Sequence, residues 1–293
     1  MKNKIISEKF AKILLYILLF LFAITILLPV LWVFVASIKD NSEFYGNPWA
    51  IPAGIHLENF YHAFVNAKMG EYFINSVIVT SLSLIILLVI ALPASYALSR
   101  YNFKGNTIIK SLFMGGLFIN VNYIVVPIFL MLVDADKLAN TMIGSRFFLN
   151  NIFVLCLVYA STALPFTIYL LSSYIQAIPK AYEEAAAIDG AGYFKTMIQV
   201  ILPMAKPSII TVVLFQFLAF WNEYIIALTL MPDPNSAKTL PVGLMNLMAA
   251  QKSNVEYGTM YAGLVIVMLP TLILYMFVQK KLTMGMTAGG VKG

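Results

Sequence analysis

The sequence predicts an all-α membrane protein with six transmembrane helices, because its composition is unusually apolar and its uncharged segments are long. Of the 293 residues, 61% are hydrophobic and only 11% are charged, against roughly 25% charged residues in an ordinary soluble domain. A bilayer core about 30 Å thick requires about 20 apolar residues per helix. Six runs reach that length: 13–38, 72–99, 111–133, 147–179, 207–232, in which Glu223 is the one charged residue, and 257–279.

These runs favour helices over the strands of a transmembrane barrel. They show no strict alternation of polar and apolar residues, and they far exceed the roughly 9–11 residues of a barrel strand. Five of the six contain a proline away from their ends, which removes a backbone hydrogen bond, so neighbouring helices must cover each break. Ordinary kinks and a moving gate explain these prolines equally well. They are Pro29, Pro93, Pro127, Pro165 and Pro270.

The distribution of basic residues predicts that both termini are cytoplasmic. Lys and Arg concentrate in cytoplasmic segments of membrane proteins, and six spans place both termini on one side. The first run is too long for a signal peptide and lacks a cleavage site, so we expect an uncleaved anchor. The segments on the terminal side carry 13 of the 19 basic residues, and they are 1–12, 100–110, 176–206 and 280–293.

This topology divides the chain into five parts. The expected parts are a cytoplasmic N-terminus 1–12, a first transmembrane helix 13–38, an extracytoplasmic loop 39–71, a core 72–281 with five further helices and a cytoplasmic loop 176–206, and a cytoplasmic tail 282–293. The loop 39–71 is rich in aromatic residues, and we expect it to lie along the membrane surface. The lipid bilayer is thus one partner of the chain.

Several classes of function are excluded by what the sequence lacks. His56 and His62 have no further Cys or His to complete a metal site, and Cys156 stands alone. There is no nucleotide-binding Gly-rich lysine motif and no recognisable motif for a catalytic serine or a zinc enzyme. The net charge of +6 follows from the topology rather than from a nucleic-acid surface. We therefore expect no enzymatic activity, cofactor, metal or nucleic-acid partner.

Glu223 is the candidate for a translocation pathway. An acid near the centre of a membrane helix costs about 2.5–3.5 kcal/mol on insertion scales and is usually kept for a pathway or a partner. Gln216 lies seven residues earlier, on the same helical face, and Asn222 is adjacent. The alternative is that Glu223 lies at the outer headgroups, because Asp233 and two prolines follow within three turns. The sequence leaves both possibilities open.

The loop 176–206 predicts two short helices that meet at Gly190. Glu183 and Glu184 fall in the first turn of the first helix, where the helix dipole favours negative charge, and Gly190 ends it. A second helix is expected over 191–201, with an apolar face formed by Phe194, Met197, Ile198 and Ile201. Ala185, Ala186 and Ala187 give the first helix a thin surface that another protein can approach closely, and its glutamates offer carboxylates to a basic partner. The alternative is an amphipathic loop resting on the membrane.

This loop resembles the E-A-A-x-x-x-G-x(9)-I-x-L-P loop of bacterial ABC importer permeases. The matching residues are Glu184-Ala185-Ala186, Gly190 and Leu202-Pro203, and Val200 replaces the isoleucine. The chain also resembles the maltose-type, or carbohydrate-uptake class 1, branch of these permeases. The segments that carry this second resemblance are Ala94-Ser95-Tyr96-Ala97-Leu98-Ser99-Arg100, Trp221-Asn222 and Thr287-Ala288-Gly289-Gly290-Val291-Lys292-Gly293.

The resemblance implies a type I ABC importer permease fold in a bacterial plasma membrane, importing a sugar or oligosaccharide. It implies three protein partners: a second homologous permease subunit, a cytoplasmic ATPase dimer and an extracytoplasmic solute-binding protein. The tail from Gly289 to Gly293 is expected to approach the ATPase. A secondary transporter or channel is the alternative, which leaves the loop motif unexplained. The residues expected to couple to the ATPase are Glu183, Glu184, Ala185, Ala186, Asp189, Gly190, Leu202 and Pro203.

Overall fold

The computed structural model describes residues 2–250 and 256–290, with side chains for 9–250 and 256–278. In chain order its α-helices are α1 (Lys2–Ala36), α2 (Asn41–Gly46), α3 (Glu58–Tyr61), α4 (Met69–Arg100), α5 (Asn106–Gly116), α6 (Val121–Ile143), α7 (Ile152–Ala177), α8 (Ala181–Ile188), α9 (Tyr193–Thr196), α10 (Leu202–Met204), α11 (Lys206–Trp221), α12 (Ile225–Leu230), α13 (Leu240–Ala250) and α14 (Tyr257–Gly290). Two π-helical turns, His62–Asn66 and Met197–Ile201, follow α3 and α9.

Four helices are long and apolar enough to cross a membrane by themselves. They contain the spans Lys9–Ala36, Met69–Arg100, Ile152–Ala177 and Tyr257–Val278. Each coincides closely with one of the predicted runs. Two further spans result if each of two sharply bent helix pairs is counted as one, and these pairs are Asn106–Gly116 with Val121–Ile143, at 106°, and Tyr193–Met204 with Lys206–Trp221, at 76°.

The predicted runs 111–133 and 207–232 are not single helices. The first is interrupted between α5 and α6, where the Asn120 side chain accepts a hydrogen bond from the Asn122 N–H at 2.9 Å and so caps α6. The second is interrupted between α11 and α12, at Asn222 to Tyr224. Hydropathy alone missed both breaks, because a helix cap requires only one or two polar residues within an apolar run.

The five prolines lie inside long helices, as predicted: in α1, α4, α6, α7 and α14. Gly116 brings α5 close to one of them. A Cβ atom added at Gly116 would lie 2.8 Å from Pro165 Cγ of α7, whereas one at Gly115 would meet no atom within 4 Å. The close approach of α5 to α7 therefore depends on Gly116.

The chain divides into two compact units, of which the first comprises Met1–Gly70 and Leu244–Leu269. Its connection after α1 is ordered around Lys39, which is fully buried and donates from Nζ to the Pro48 carbonyl at 2.7 Å. Asn59 Nδ2 donates to the carbonyls of Ser37 and Lys39, at 3.0 and 2.8 Å. The predicted loop 39–71 is thus a folded segment that contains two short helices.

The second unit comprises Glu71–Gly243 and Pro270–Gly293, and its core surrounds α7. Half of the apolar window of α7 is buried, whereas none of the corresponding window of α1 is. The core therefore encloses α7, while α1 leaves its apolar surface for lipid or a partner. Core side chains come from α4, α6, α7, α11 and α12, and include Leu87, Leu132, Leu155, Tyr159, Leu171, Val212 and Ile226.

Candidate functional site

Helix α8 ends in a glycine turn that fixes the direction of the following chain. Gly190 has φ +75°, its N–H donates to the Ala187 carbonyl at 3.0 Å, and the Ala191 N–H donates to the Ala186 carbonyl at 2.9 Å. These two bonds form a Schellman motif, which satisfies carbonyl groups at the end of the helix. A Cβ at Gly190 would meet no atom within 4 Å. Glycine is therefore required by the backbone conformation rather than by space.

Neighbouring motif residues of α8 face opposite directions. Glu184 and Ala185 are exposed, as is Asp189 after the helix, whereas Ala186 is buried at 8% exposure. Ala185, Ala186 and Ala187 therefore do not form one outward face, because successive residues point about 100° apart around a helix. Ala186 packs inward, and the outward edge consists of Glu184, Ala185 and Ile188.

The second limb of the loop, residues 193–201, begins two residues later than the predicted helix and contains a π-helical turn. The predicted apolar face is wrong in part: Met197 and Ile201 are buried, but Phe194 is 67% exposed and Ile198 is 56% exposed. Ile198 lies within the π-turn Met197–Ile201, which departs from the α-helical spacing assumed for the face, whereas Phe194 lies before it in α9. Thr196, outside the predicted apolar face, is buried as well.

The last two motif residues continue the helical path instead of ending it at Ile201. Leu202 is half-buried and Pro203 is exposed, both in α10, and the chain turns only at Ala205. Pro203 lies in the first turn of α10 and Pro207 in the first turn of α11. Because the chain turns at Ala205, the first-turn amides of α11 lack helical acceptors, and Pro207 removes no hydrogen bond there.

Arg100, at the end of α4, forms an ion pair with Glu183 of α8. Arg100 Nε lies 3.2 Å from Glu183 Oε2, and the two side chains are only 6% and 17% exposed. Arg100 Nη2 also donates to the Ile178 carbonyl at 2.7 Å. Glu183 is therefore directed into the protein, unlike the adjacent Glu184. In the sequence, Arg100 stands out only as a basic residue that marks the topology and as part of a family motif, neither of which predicts this pairing.

Tyrosine rings surround this ion pair. The ring centroids of Tyr96 and Tyr193 are 5.2 Å apart, and those of Tyr101 and Tyr193 are 5.5 Å apart. A cleft of about 250 Å³ opens beside them and is also lined by Lys180. The pair thus lines an open cleft between the end of α4 and the loop 176–206.

Gln216 and Glu223 are both directed at α7. Gln216 is 6% exposed, and its Nε2 donates to Thr167 Oγ1 at 3.4 Å. The hydroxyl of Tyr159 donates to Glu223 Oε2 at 2.6 Å. The expected single helical stripe is wrong, because α11 ends at Trp221 before Glu223 is reached. Both side chains therefore bond to α7, but only Gln216 lies on α11.

Glu223 also caps α12. Its Oε1 accepts from the Ile226 N–H at 2.7 Å, and its Oε2 accepts from the Ala227 N–H at 3.1 Å. These first-turn amides have no acceptor within the helix, so the carboxylate satisfies them. Asn222 is exposed, and its Nδ2 donates to the Leu218 carbonyl at 2.8 Å.

The remaining predicted positions lie at the chain end and in the first unit. Gly289 and Gly290 form the end of α14, while Val291, Lys292 and Gly293 lie outside the described residues. His56 Nδ1 lies 3.1 Å from Glu58 Oε1, which lowers the pKa of the glutamate. Within residues 2–250 and 256–290, no three His, Cys, Asp or Glu side chains come together in a possible metal site.

The fold and the loop define a membrane permease, and comparison with known proteins places it in a family. Residues 90–287 match the binding-protein-dependent transport system inner membrane component, and the chain belongs to this family. It is a subunit of an ABC transporter that works with a binding protein and with a separate ATPase. The prediction of a permease that is not itself an enzyme is confirmed.

Curated relatives match along most of the chain. The diacetylchitobiose uptake system permease protein NgcG of Streptomyces coelicolor is 33% identical over 272 residues, covering 93% of this chain and 86% of the relative. The trehalose/maltose transport system permease protein MalG of Thermococcus litoralis is 32% identical over 289 residues, covering 98% and 99%. The probable ABC transporter permease protein YurM of Bacillus subtilis is 35% identical, covering 95% and 88%.

The fold is also that of a solved transporter. A chain of a bacterial ABC transporter involved in the import of the acidic polysaccharide alginate superposes with a TM-score of 0.80 at 24% identity. The match covers 94% of this chain and 97% of the other. The predicted fold class, an all-α membrane protein with the importer permease fold, is confirmed.

Proposed function

We propose that this chain forms half of the translocation pathway of an ATP-driven importer for a sugar or oligosaccharide. The relatives named for diacetylchitobiose and for trehalose/maltose support a carbohydrate cargo. A second homologous permease subunit supplies the other half of the pathway, and an ATPase dimer binds at the cytoplasm. The complex lies in the plasma membrane of a bacterium, with both termini cytoplasmic, as the basic residues indicate.

In this proposal the ATPase docks on the loop 176–206. One observation supports the docking site most: the outward edge of α8 is exposed to solvent and is apolar beside Glu184. Ala185 is exposed and Ile188 is 87% exposed, next to the Glu184 carboxylate. Phe194 and Ile198 on the following limb are also exposed. Large apolar side chains on a short surface loop indicate a protein interface. The small Ala185 lets a partner approach the helix backbone, and Glu184 provides an acceptor for a basic side chain.

The loop motif divides into contact residues and positioning residues in this proposal. Glu184, Ala185 and Asp189 contact the ATPase from exposed positions. Ala186, Gly190 and Leu202 hold the two limbs in place from buried or conformationally constrained positions. The tail from Gly289 to Gly293, whose first two residues end α14, contacts the same partner in this proposal.

Asn222 is the best supported of the three candidate pathway residues, since it is exposed within an apolar region. The polar groups of Gln216 and Glu223 are instead bonded to neighbouring helices. In this proposal Gln216 positions α11 on α7, and Glu223 stabilises the break between α11 and α12.

A crosslinking experiment tests the docking surface. In a Cys156→Ala background, Ala185→Cys should form a crosslink to the ATPase through a short bifunctional thiol–amine reagent, and the complex should copurify. Ala186→Cys is the matched control, because it lies on the same helix but is 8% exposed. Equal crosslinking at both positions, or a chain that purifies without an ATPase, would contradict the docking surface.

Transport itself is tested in proteoliposomes that contain the assembled complex. Uptake of a labelled oligosaccharide should require both ATP on the ATPase side and the solute-binding protein on the other side. Uptake driven by a proton gradient without ATP would instead support a secondary transporter.

A further inference from the structure

The end of α4 is connected to the loop 176–206 by a buried charged group. Arg100 lies in the last turn of α4, and its guanidinium contacts two separate segments at once. Nε lies 3.2 Å from Glu183 Oε2 in the first turn of α8, and Nη2 donates to the Ile178 carbonyl at 2.7 Å, just after α7. Of these two contacts, the one to Ile178 is a hydrogen bond and the one to Glu183 is an ion pair. Arg100 Nε and Glu183 Oε1 have no hydrogen-bond partner among the described residues.

Burial makes this connection sensitive to the loss of either partner. The Arg100 side chain is 6% exposed and the Glu183 side chain is 17% exposed, within the ring cluster of Tyr96, Tyr101 and Tyr193. A charge in such surroundings is tolerated when it is paired, and removing one partner leaves the other uncompensated. Each residue therefore strongly favours conformations in which the other remains within reach.

A second contact lies at the same junction. Ser99 Oγ, next to the arginine in sequence, donates to the Ser95 carbonyl of its own helix and also lies 3.2 Å from the Ser172 carbonyl of α7. The last turn of α4 thus contacts α7 through Ser99, the residue after α7 through Arg100, and α8 through the ion pair. A displacement of α8 must move the end of α4 or break the ion pair.

We propose that Arg100 and Glu183 are positioning residues that transmit movement of α8 to α4. The two adjacent glutamates then have separate tasks: Glu184 faces the partner, and Glu183 faces the membrane helix. This inference rests on the proposed function, because it requires α8 to be displaced by the ATPase. It goes beyond that function by assigning the internal connection through which the displacement reaches a transmembrane helix.

The test separates transmission from assembly and from ATP hydrolysis. Arg100→Gln and Glu183→Gln are made in the complete complex, and copurification of the ATPase, its hydrolysis rate and cargo uptake are measured together. We expect the complex to assemble, because Glu184 and the outward edge of α8 are unchanged. Uptake per ATP hydrolysed should fall by about tenfold, a typical size for the coupling between two sites.

Two further variants keep the proposal falsifiable if the single variants are unstable. The double variant Arg100→Gln/Glu183→Gln should be no worse than the poorer single variant, since both remove one connection. The charge exchange Arg100→Glu/Glu183→Arg should recover part of the lost uptake per ATP. A purely structural role would lower thermal stability, hydrolysis and uptake in parallel.

The outcomes distinguish this inference from the proposed function. Wild-type uptake per ATP in Arg100→Gln, additive losses in the double variant, or parallel losses of all three measurements would overturn the transmission role while leaving the docking surface intact. Failure of the unmodified chain to copurify with an ATPase would instead contradict the proposed function.

Discussion

The Tyr159 hydroxyl donates a hydrogen bond of 2.6 Å to the Glu223 carboxylate, and so connects α7 to the break between α11 and α12. The same carboxylate accepts the Ile226 and Ala227 amide protons. All three donors belong to the second unit. Glu223, the acid within the fifth apolar run, therefore has a structural role that is separate from transport: it accepts three hydrogen bonds that join α7 and α12.

Replacing Glu223 should destabilise the protein as well as alter transport. Glu223→Ala removes the acceptor of three donors, and leaving buried donors unpaired costs about 1–3 kcal/mol. The melting temperature in detergent and the initial rate of uptake should both fall. Tyr159→Phe is the milder variant, since the two backbone bonds of the carboxylate remain. An unchanged melting temperature of Glu223→Ala would refute the capping role, and unchanged uptake would place the acid outside the pathway.

Gly190→Val should uncouple transport. The φ of +75° at this position is strained for a β-branched residue, at a cost of about 1–3 kcal/mol. Membrane insertion should be normal, while uptake falls strongly. Gly190→Asn should retain most activity, because asparagine tolerates this conformation.

Gly192→Ala provides the matched control for Gly190. Gly192 has φ −75° and ψ 174°, which any residue adopts, and a Cβ there would meet no atom within 4 Å. Its uptake should equal that of the wild type. Full uptake in Gly190→Val with retained ATPase binding would show that the turn is not needed.

The pair Gly115 and Gly116 should respond oppositely to alanine. Gly116→Ala places a Cβ 2.8 Å from Pro165 Cγ, and such overpacking costs about 1–3 kcal/mol. Gly115→Ala meets open space and should be neutral or stabilising, because alanine is the better helix former. Thermal unfolding of the two variants in the same detergent measures the difference. Equal stabilities would refute the close packing of α5 on α7.

The proposed orientation predicts which side of the membrane each loop reaches. In a Cys156→Ala background, Lys195→Cys should react with an impermeant maleimide only after the cells are opened. Trp49→Cys, which replaces a side chain that is 70% exposed, should react in intact cells. The reverse pattern would invert the topology.

The sequence predicted the long helices well and their interruptions poorly. The runs 72–99 and 257–279 correspond to α4 and to the apolar part of α14 within a few residues. The breaks at Asn120 and Glu223 were missed, although both residues can cap a helix. A cap is local and polar, whereas a hydropathy argument averages over about 20 residues.

In the loop 176–206, likewise, one feature was predicted correctly and others were not. Gly190 was correctly predicted as the turn, because few other residues adopt positive φ and the surrounding helix signals are clear. The buried face of the second limb was predicted on α-helical spacing throughout, whereas residues Met197–Ile201 form a π-turn and Phe194 lies exposed before it. The side of α8 that Glu183 occupies was not predictable, since nothing local distinguishes it from Glu184.

The sequence alone therefore determined that this chain is a helical membrane protein, how its apolar spans are distributed, and where its polar loop turns. These features depend on composition and on short-range backbone preferences. Only the tertiary structure decided that Arg100 pairs with Glu183 and that Glu223 bonds Tyr159. The partners lie 83 and 64 residues apart, and such contacts depend on how the helices pack, which local patterns do not encode.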